Sequence, residues 1–172
     1  EVDNTGAAYV YGPNAAPTDI GLDNTTVPEG AAVGTLVGLL STTDHNNPYD
    51  PHTYQFVSGV GSTDNAAFLI DGNQLKTNAV FDFETKSSYT IRVRTTGPAG
   101  QWYEEAFTVT VSNVNEVPVA GNDSYTTAEN TTLTMASPGV LANDTDGDGD
   151  PLTAVYVSGP QHGNLLLNPN GS

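Results

Sequence analysis

The chain has no cysteine and only four basic residues, Lys76, Lys86, Arg92 and Arg94, against twenty aspartates and glutamates. Without cysteine no disulfide can staple the fold, and the redox compartment is left open. A net charge of −16 repels phosphate backbones and anionic lipid, so nucleic acid and membrane surfaces are poor partners. No run approaches the roughly 20 apolar residues of a membrane span, which argues against membrane insertion. Residues 1–20 lack the basic start and apolar run of a signal peptide, and the piece reads as a mature or excised fragment.

What is present favours strands and turns. Thr and Val are frequent among 18 glycines and 11 prolines, and a length of 172 residues leaves room for one or two sandwich-sized domains. Carboxylates this numerous either repel one another in solvent or are neutralised by cations, and without disulfides a metal could do the stapling.

Set against itself at an offset of one hundred, the sequence matches without gaps. Asp23 meets Asp123, Glu29 meets Glu129, Asp44 meets Asp144, and Asp50-Pro51 meets Asp150-Pro151; Val57-Ser58-Gly59 meets Val157-Ser158-Gly159. Acidic positions and a strand end share one register, which predicts a repeated module. The first copy runs on for more than fifty residues after Gly59, the second for thirteen after Gly159. The predicted organisation is an N-terminal linker or extra strand over 1–13, a β-sandwich over 14–117 and a truncated second repeat over 118–172.

Within the first copy the predicted strands are Thr18–Leu22, Val33–Leu40, Thr53–Val57, Ala67–Ile70, Gln74–Thr77, Tyr89–Thr95 and Ala106–Val111. Seven strands in about 100 residues imply an all-β, Greek-key, seven-stranded sandwich. Tyr89, Ile91 and Val93 alternate with Thr90, Arg92 and Arg94, and Phe107, Val109 and Val111 with Thr108, Thr110 and Ser112, so the apolar sets belong to the core. Asp71-Gly72-Asn73 reads as a tight hairpin turn. Val114–Pro118, without glycine, is expected to be a stiff junction.

The acids fall at strand ends and junctions. Calcium wants six to eight oxygens from carboxylates, carbonyls, Asn side chains and water. Asp144-Thr145-Asp146-Gly147-Asp148-Gly149-Asp150 places a carboxylate at every second position, with Gly149 where an EF-hand loop would turn. Val155 stands where that motif needs a glutamate, so the run is read as a calcium loop inside a β-domain.

Val27-Pro28-Glu29, Phe81-Asp82-Phe83-Glu84-Thr85 and Asn113-Val114-Asn115-Glu116-Val117-Pro118 resemble the calcium signatures of cadherin repeats, in wording close to the bacterial branch of that family. The resemblance implies calcium ligation by Glu29, Asp82, Glu84, Asn113, Asn115 and Glu116, with Asp144 and Asp146 supplied by the second copy; the loop adds Asp148 and Asp150. Three departures imply fewer or weaker ions. The linker is one residue shorter than the usual animal form, Asn113 replaces its first acid, and the first copy's Asp-x-Asp is reduced to Asp44-His45-Asn46. Asn122-Asp123-Ser124-Tyr125, Gly139–Asp144 and Asp150-Pro151-Leu152 make the second copy similar to bacterial cadherin-like or VCBS-type repeats.

Catalysis is not expected. Asp82 with Glu84, or Glu104 with Glu105, could be drafted for glycoside hydrolysis, but such pairs are cheap among twenty acids and a small sandwich offers no deep cleft. His45, His52 and His162 share no metal-ligand spacing and read as turn or surface residues. The implied function is a calcium-rigidified extracellular adhesion or spacer module, secreted or on a bacterial surface. Its partners would be neighbouring repeats of the same or another chain, a cell-surface protein or a polysaccharide, with assembly by strand exchange. The alternative is a carbohydrate-binding accessory module using Trp102, Tyr103, Tyr9, Tyr11, Tyr49 and Tyr54 as stacking surface.

Overall fold

The computed structural model describes residues 15–44 and 51–172. The leading stretch 1–13, with Tyr9 and Tyr11, and the loop positions His45, Asn46, Tyr49 and Asp50 lie outside the described residues. The chain divides into two compact units, Glu1–Val114 and Asn115–Ser172.

The first unit is a two-sheet β-sandwich. Its strands are β1 (Asp19–Leu22), β2 (Thr26–Pro28), β3 (Leu36–Thr43), β4 (Thr53–Phe56), β5 (Phe68–Asp71), β6 (Gln74–Thr77), β7 (Ser88–Thr96) and β8 (Trp102–Ser112). One sheet has the order β1-β3-β6-β5 and the other β2-β8-β7-β4. The alternation in β7 and β8 produces the interior as expected: Ile91, Val93 and Val109 are completely buried, and Val111 nearly so. Burying such side chains stabilises by about 1.5–3 kcal/mol each. Phe81 joins this core, with its ring 4.5 Å from Tyr89 and 5.3 Å from Phe68.

Among the described residues eight strands stand where seven were expected. The addition is β2, which runs parallel to β8 with Val27 opposite Val111. Three residues ending in a proline carry too little period-2 signal to read as a strand, and proline is tolerated there because β2 is an edge. The strand expected to begin at Val33 begins at Leu36 instead. Gly34 takes φ 90° and donates its N–H to the Thr77 carbonyl at 2.8 Å, so Val33 lies in a turn and is exposed. The β5–β6 hairpin closes as expected, with Asp71 opposite Gln74 and Gly72 at φ 62°.

The second unit is turns and extended segments. It contains one 3₁₀ turn, Gly139–Leu141, and one antiparallel bridge, in which Val119 and Thr145 exchange N–H···O bonds of 2.7 and 3.0 Å. That bridge holds the segment after Pro118 against the acidic loop.

Candidate functional site

In the first unit the ligand candidates gather around Glu29. Val27 is drawn into the core and paired with β8, which places Glu29 just past the end of β2 at 7% exposure. Its N–H donates to Ser112 O at 3.1 Å. Its carboxylate accepts on both oxygens, from Phe83 N–H at 2.8 Å and from Val114 N–H at 2.7 Å. Each carboxylate oxygen has a second acceptor site, so these bonds orient the group without exhausting it.

Glu84 comes to the same place through a turn. Phe83–Thr85 form that turn, and Lys86 N–H closes it onto Asp82 O at 2.9 Å. A carboxylate oxygen of Glu84 lies within 4.8 Å of one on Glu29, and Asn113 Nδ2 donates to Glu84 Oε1 at 3.0 Å. Two carboxylates this close, one of them buried, repel unless a cation or proton stands between them.

Asp82 does something different. Oδ1 accepts the Thr85 N–H at 2.9 Å and Oδ2 the Thr85 hydroxyl at 2.8 Å. Those two bonds and one from the Glu84 backbone hold its carboxyl below the usual aspartate range. Phe81–Glu84 is not a strand, and the bonds from Thr85 fix Asp82 within its own turn. Thr85 was not among the candidates; the Asp-x-x-Thr spacing, a common side-chain-capped turn, is the signal that points to it.

In the second unit the loop turns inward on its own acids. Asp144 Oδ1 accepts Gly121 N–H at 2.7 Å, Asp146 Oδ1 accepts Asp150 N–H at 3.0 Å, and Asp148 Oδ2 accepts Glu116 N–H at 2.7 Å. Asp150 itself is exposed, and Asn115 Nδ2 donates to the Glu116 carbonyl at 2.8 Å. The carboxylate of Glu116 lies over Gly147, where a Cβ would collide with Glu116 Oε2. Gly147 thus leaves room for the Glu116 carboxylate where it lies, whereas Gly149, at φ 76°, makes the turn.

Asp146 Oδ2 is buried and has no hydrogen-bond partner. A buried carboxylate oxygen without a donor is costly. Glu29, Glu84 and Asn113 in the first unit, and Asp144, Asp146, Asp148 and Glu116 in the second, offer carboxylate and amide oxygens, which is a donor set for a hard cation such as calcium.

Two other expectations change. His52 is not a surface residue: its side chain is 7% exposed and Nε2 lies 3.4 Å from Oδ2 of Asp44, itself 1% exposed. Trp102 is half exposed, but the Arg94 guanidinium sits 4.5 Å above its ring. Arg94 and Arg92 are in turn held by Glu104, through bonds of 2.9 and 3.0 Å to its two oxygens. Tyr103 is half-buried against the core, and the Tyr54 hydroxyl lies 2.9 Å from Thr42 Oγ1.

The model of the bacterial cadherin-like domain matches residues 115–172. No curated protein matches the chain. Among solved structures, protocadherin gamma B7 extracellular cadherin domains 1–4 are 21% identical at a TM-score of 0.44, covering 67% of this chain and 31% of that one. Human protocadherin-24 EC1-2 is 24% identical at 0.49, covering 63% and 50%. The third cadherin domain of human protocadherin 7 is 14% identical at 0.45, covering 63% and 95%. The chain therefore spans about a third of the first of these and half of the second. Among the described residues no helix is long and apolar enough to cross a membrane.

Proposed function

We propose that this chain is a calcium-rigidified extracellular module of a bacterial surface or secreted protein, serving adhesion or spacing rather than catalysis. The cadherin-like domain over 115–172 supports the module class. The buried, unpartnered Oδ2 of Asp146 in a loop of carboxylates carries the calcium reading. In the second unit Asp144, Asp146 and Asp148, with Glu116, would hold an ion. In the first unit Glu29 and Glu84, with Asn113, would hold another. Asp82 supports that site through its turn, and Asn115 and Asp150 are peripheral to the loop.

Calcium supplies charge neutralisation. The protein supplies ligands on both sides of a very short tether, since Asn113 belongs to one set and Glu116 to the other. Each bound ion would remove conformational freedom from Asn113–Glu116. For extracellular modules of about 10⁻⁴ M affinity, about 1 mM calcium adds roughly 1.4 kcal/mol per site by mass action. That is a sizeable share of marginal domain stability. Assembly with neighbouring repeats, including exchange of strands, completes the reading.

Calorimetric titration of the 172-residue chain with calcium tests it. Saturable binding that loses one site in Asp146→Asn is expected. No heat of binding at millimolar calcium would overturn the reading.

A further inference from the structure

The two sheets of the first unit differ on their outer faces. That of β2-β8-β7-β4 carries Thr90, Arg92, Arg94, Glu104, Thr108 and Thr110, a polar set suited to water. That of β1-β3-β6-β5 carries Leu36, Leu39 and Leu69, which are 49%, 39% and 45% exposed. Leu36 and Leu69 are the two cross-strand neighbours of Lys76, and Leu39 stands opposite Gln74, two residues along the same strand. All three leucines therefore lie on one face.

Leu39 is there because of a bulge. Counted from Leu36, strict alternation would turn Leu39 into the core, but the register against β6 shifts between Leu36 and Gly38. Val37 and Leu40 are buried as a result, and both Leu36 and Leu39 point outward. The bulge is clamped by the segment after β1. Asn24 Nδ2 donates to Val37 O at 2.6 Å, and Leu39 N–H donates to Asp23 Oδ1 at 2.6 Å. A Cβ on Gly38 would come within 2.5 Å of Asn24 O, so glycine admits the clamp. A bulge of this kind re-aims a side chain toward a functional surface.

Charge narrows what can sit there. Lys76 is one of four bases in a chain of net charge −16. Its ammonium is 2.7 Å from Asp71 Oδ2, whereas the side chain as a whole is only 22% exposed, so its stem lies against the leucines. Asp71, opposite Gln74, is on the same face. The patch is apolar with one balanced ion pair, and two like-charged copies can meet there without setting carboxylate against carboxylate. It is also self-complementary. A two-fold axis normal to the sheet, between Lys76 and Asp71, brings each ammonium to the other copy's carboxylate.

We propose that the face formed by Leu36, Leu39, Leu69, Lys76 and Asp71 docks on the same face of a second copy of this chain. The leucines form the dry centre of an isologous pair, and each Lys76 reaches the partner's Asp71. This contact rests on the adhesion part of the proposed function, for which it names another copy as the partner. It is independent of calcium, since none of its residues is a proposed ion ligand.

Sedimentation equilibrium of the 172-residue chain tests it, from about 10 μM to about 1 mM, in calcium and in chelator, with about 0.15 M salt to screen the net charge. A monomer–dimer equilibrium of equal strength in both buffers is expected, weakened about tenfold or more by Leu36→Ser combined with Leu69→Ser. Asp71→Lys and Lys76→Asp should each be monomeric alone, because like charges then face each other across the axis. Mixed in equal amounts they should associate, because every pair across the axis becomes opposite in sign. Damage to the fold of one chain is not undone by mixing, so this rescue reads the contact itself. A monomer throughout, or association untouched by the leucine and charge variants, overturns the proposal and leaves the calcium reading standing. Association in calcium alone overturns it by assigning the contact to the ions. A monomer that dimerises once residues 1–13 are removed overturns it by making that segment the occupant.

Discussion

Val114 donates its backbone N–H to Oε1 of Glu29 at 2.7 Å, from 85 positions away in sequence. The other oxygen of the same carboxylate takes the Phe83 N–H. One buried side chain thereby fixes the end of β8 and the turn that presents Glu84. The geometry of the proposed ion site in the first unit is inherited from this carboxylate, so under the proposed function calcium affinity and local stability would be coupled there.

Calcium should raise the melting temperature and a chelator lower it. At about 1.4 kcal/mol per site the shift is about 5–10 °C for a domain of this size. Glu84→Ala should remove much of that response while leaving the melt in chelator nearly unchanged. Glu29→Gln should lower both, because it weakens two backbone bonds as well as a ligand. Scanning calorimetry reads both effects, and identical melts with calcium and chelator would contradict the ion sites.

Asp82→Ala should act mainly on the fold. Its two oxygens cap the Phe83–Thr85 turn through Thr85, and losing such a cap costs about 0.5–2 kcal/mol. The melting temperature in chelator should fall, and Thr85→Val should reproduce part of the loss. An unchanged melt in chelator, with calcium binding abolished, would make Asp82 a direct ligand instead.

Acid should destabilise the first unit through Glu104. The hydrogen bond from Arg94, then that from Arg92, holds its carboxyl below the ordinary value of 4.5. The unfolded chain therefore takes the proton first as pH falls. The stabilisation is complete above about pH 4.5 and is lost as pH drops through the lower folded-state value. In chelator, Glu104→Gln should lower the melting temperature at pH 7 and flatten its fall below pH 4.5. A parallel fall in both proteins would show that Glu104 contributes nothing.

How much of this was legible in sequence depended on periodicity. Ile91 and Val93 announce a buried face because alternation is sustained over a whole strand. The first half of β8 gave no such signal, since Trp102, Glu104 and Glu105 are not a strand-like run. They are strand because they pair along β7, from Trp102 opposite Thr96 to Glu105 opposite Val93, a ladder that the Arg94–Glu104 pair and the Ile20 N–H to Glu105 Oε2 bond of 3.1 Å reinforce. The Ile20–Glu105 contact, like that of Glu29 with Val114, spans 85 positions of sequence, and composition does not encode it. The repeated acids mark the candidate ligands, but the Thr85-capped turn at Asp82 depends on a local conformation that the spacing of acids does not show.

The carbohydrate reading should fail at Trp102. A stacking platform needs an open aromatic face, and Arg94 covers one face of this ring. Common polysaccharides should bind no more tightly than about millimolar, an affinity worth roughly 4 kcal/mol. Micromolar binding lost in Trp102→Ala would restore that function.

The most direct measurement is backbone ¹⁵N relaxation of Asn113, Val114, Asn115 and Glu116, in calcium and in chelator. Order parameters below about 0.6 in chelator should rise toward about 0.85 in calcium, and Asp146→Asn should prevent part of the rise. Equal order parameters in both buffers, at calcium levels that saturate the calorimetric sites, would contradict calcium as the stiffening agent.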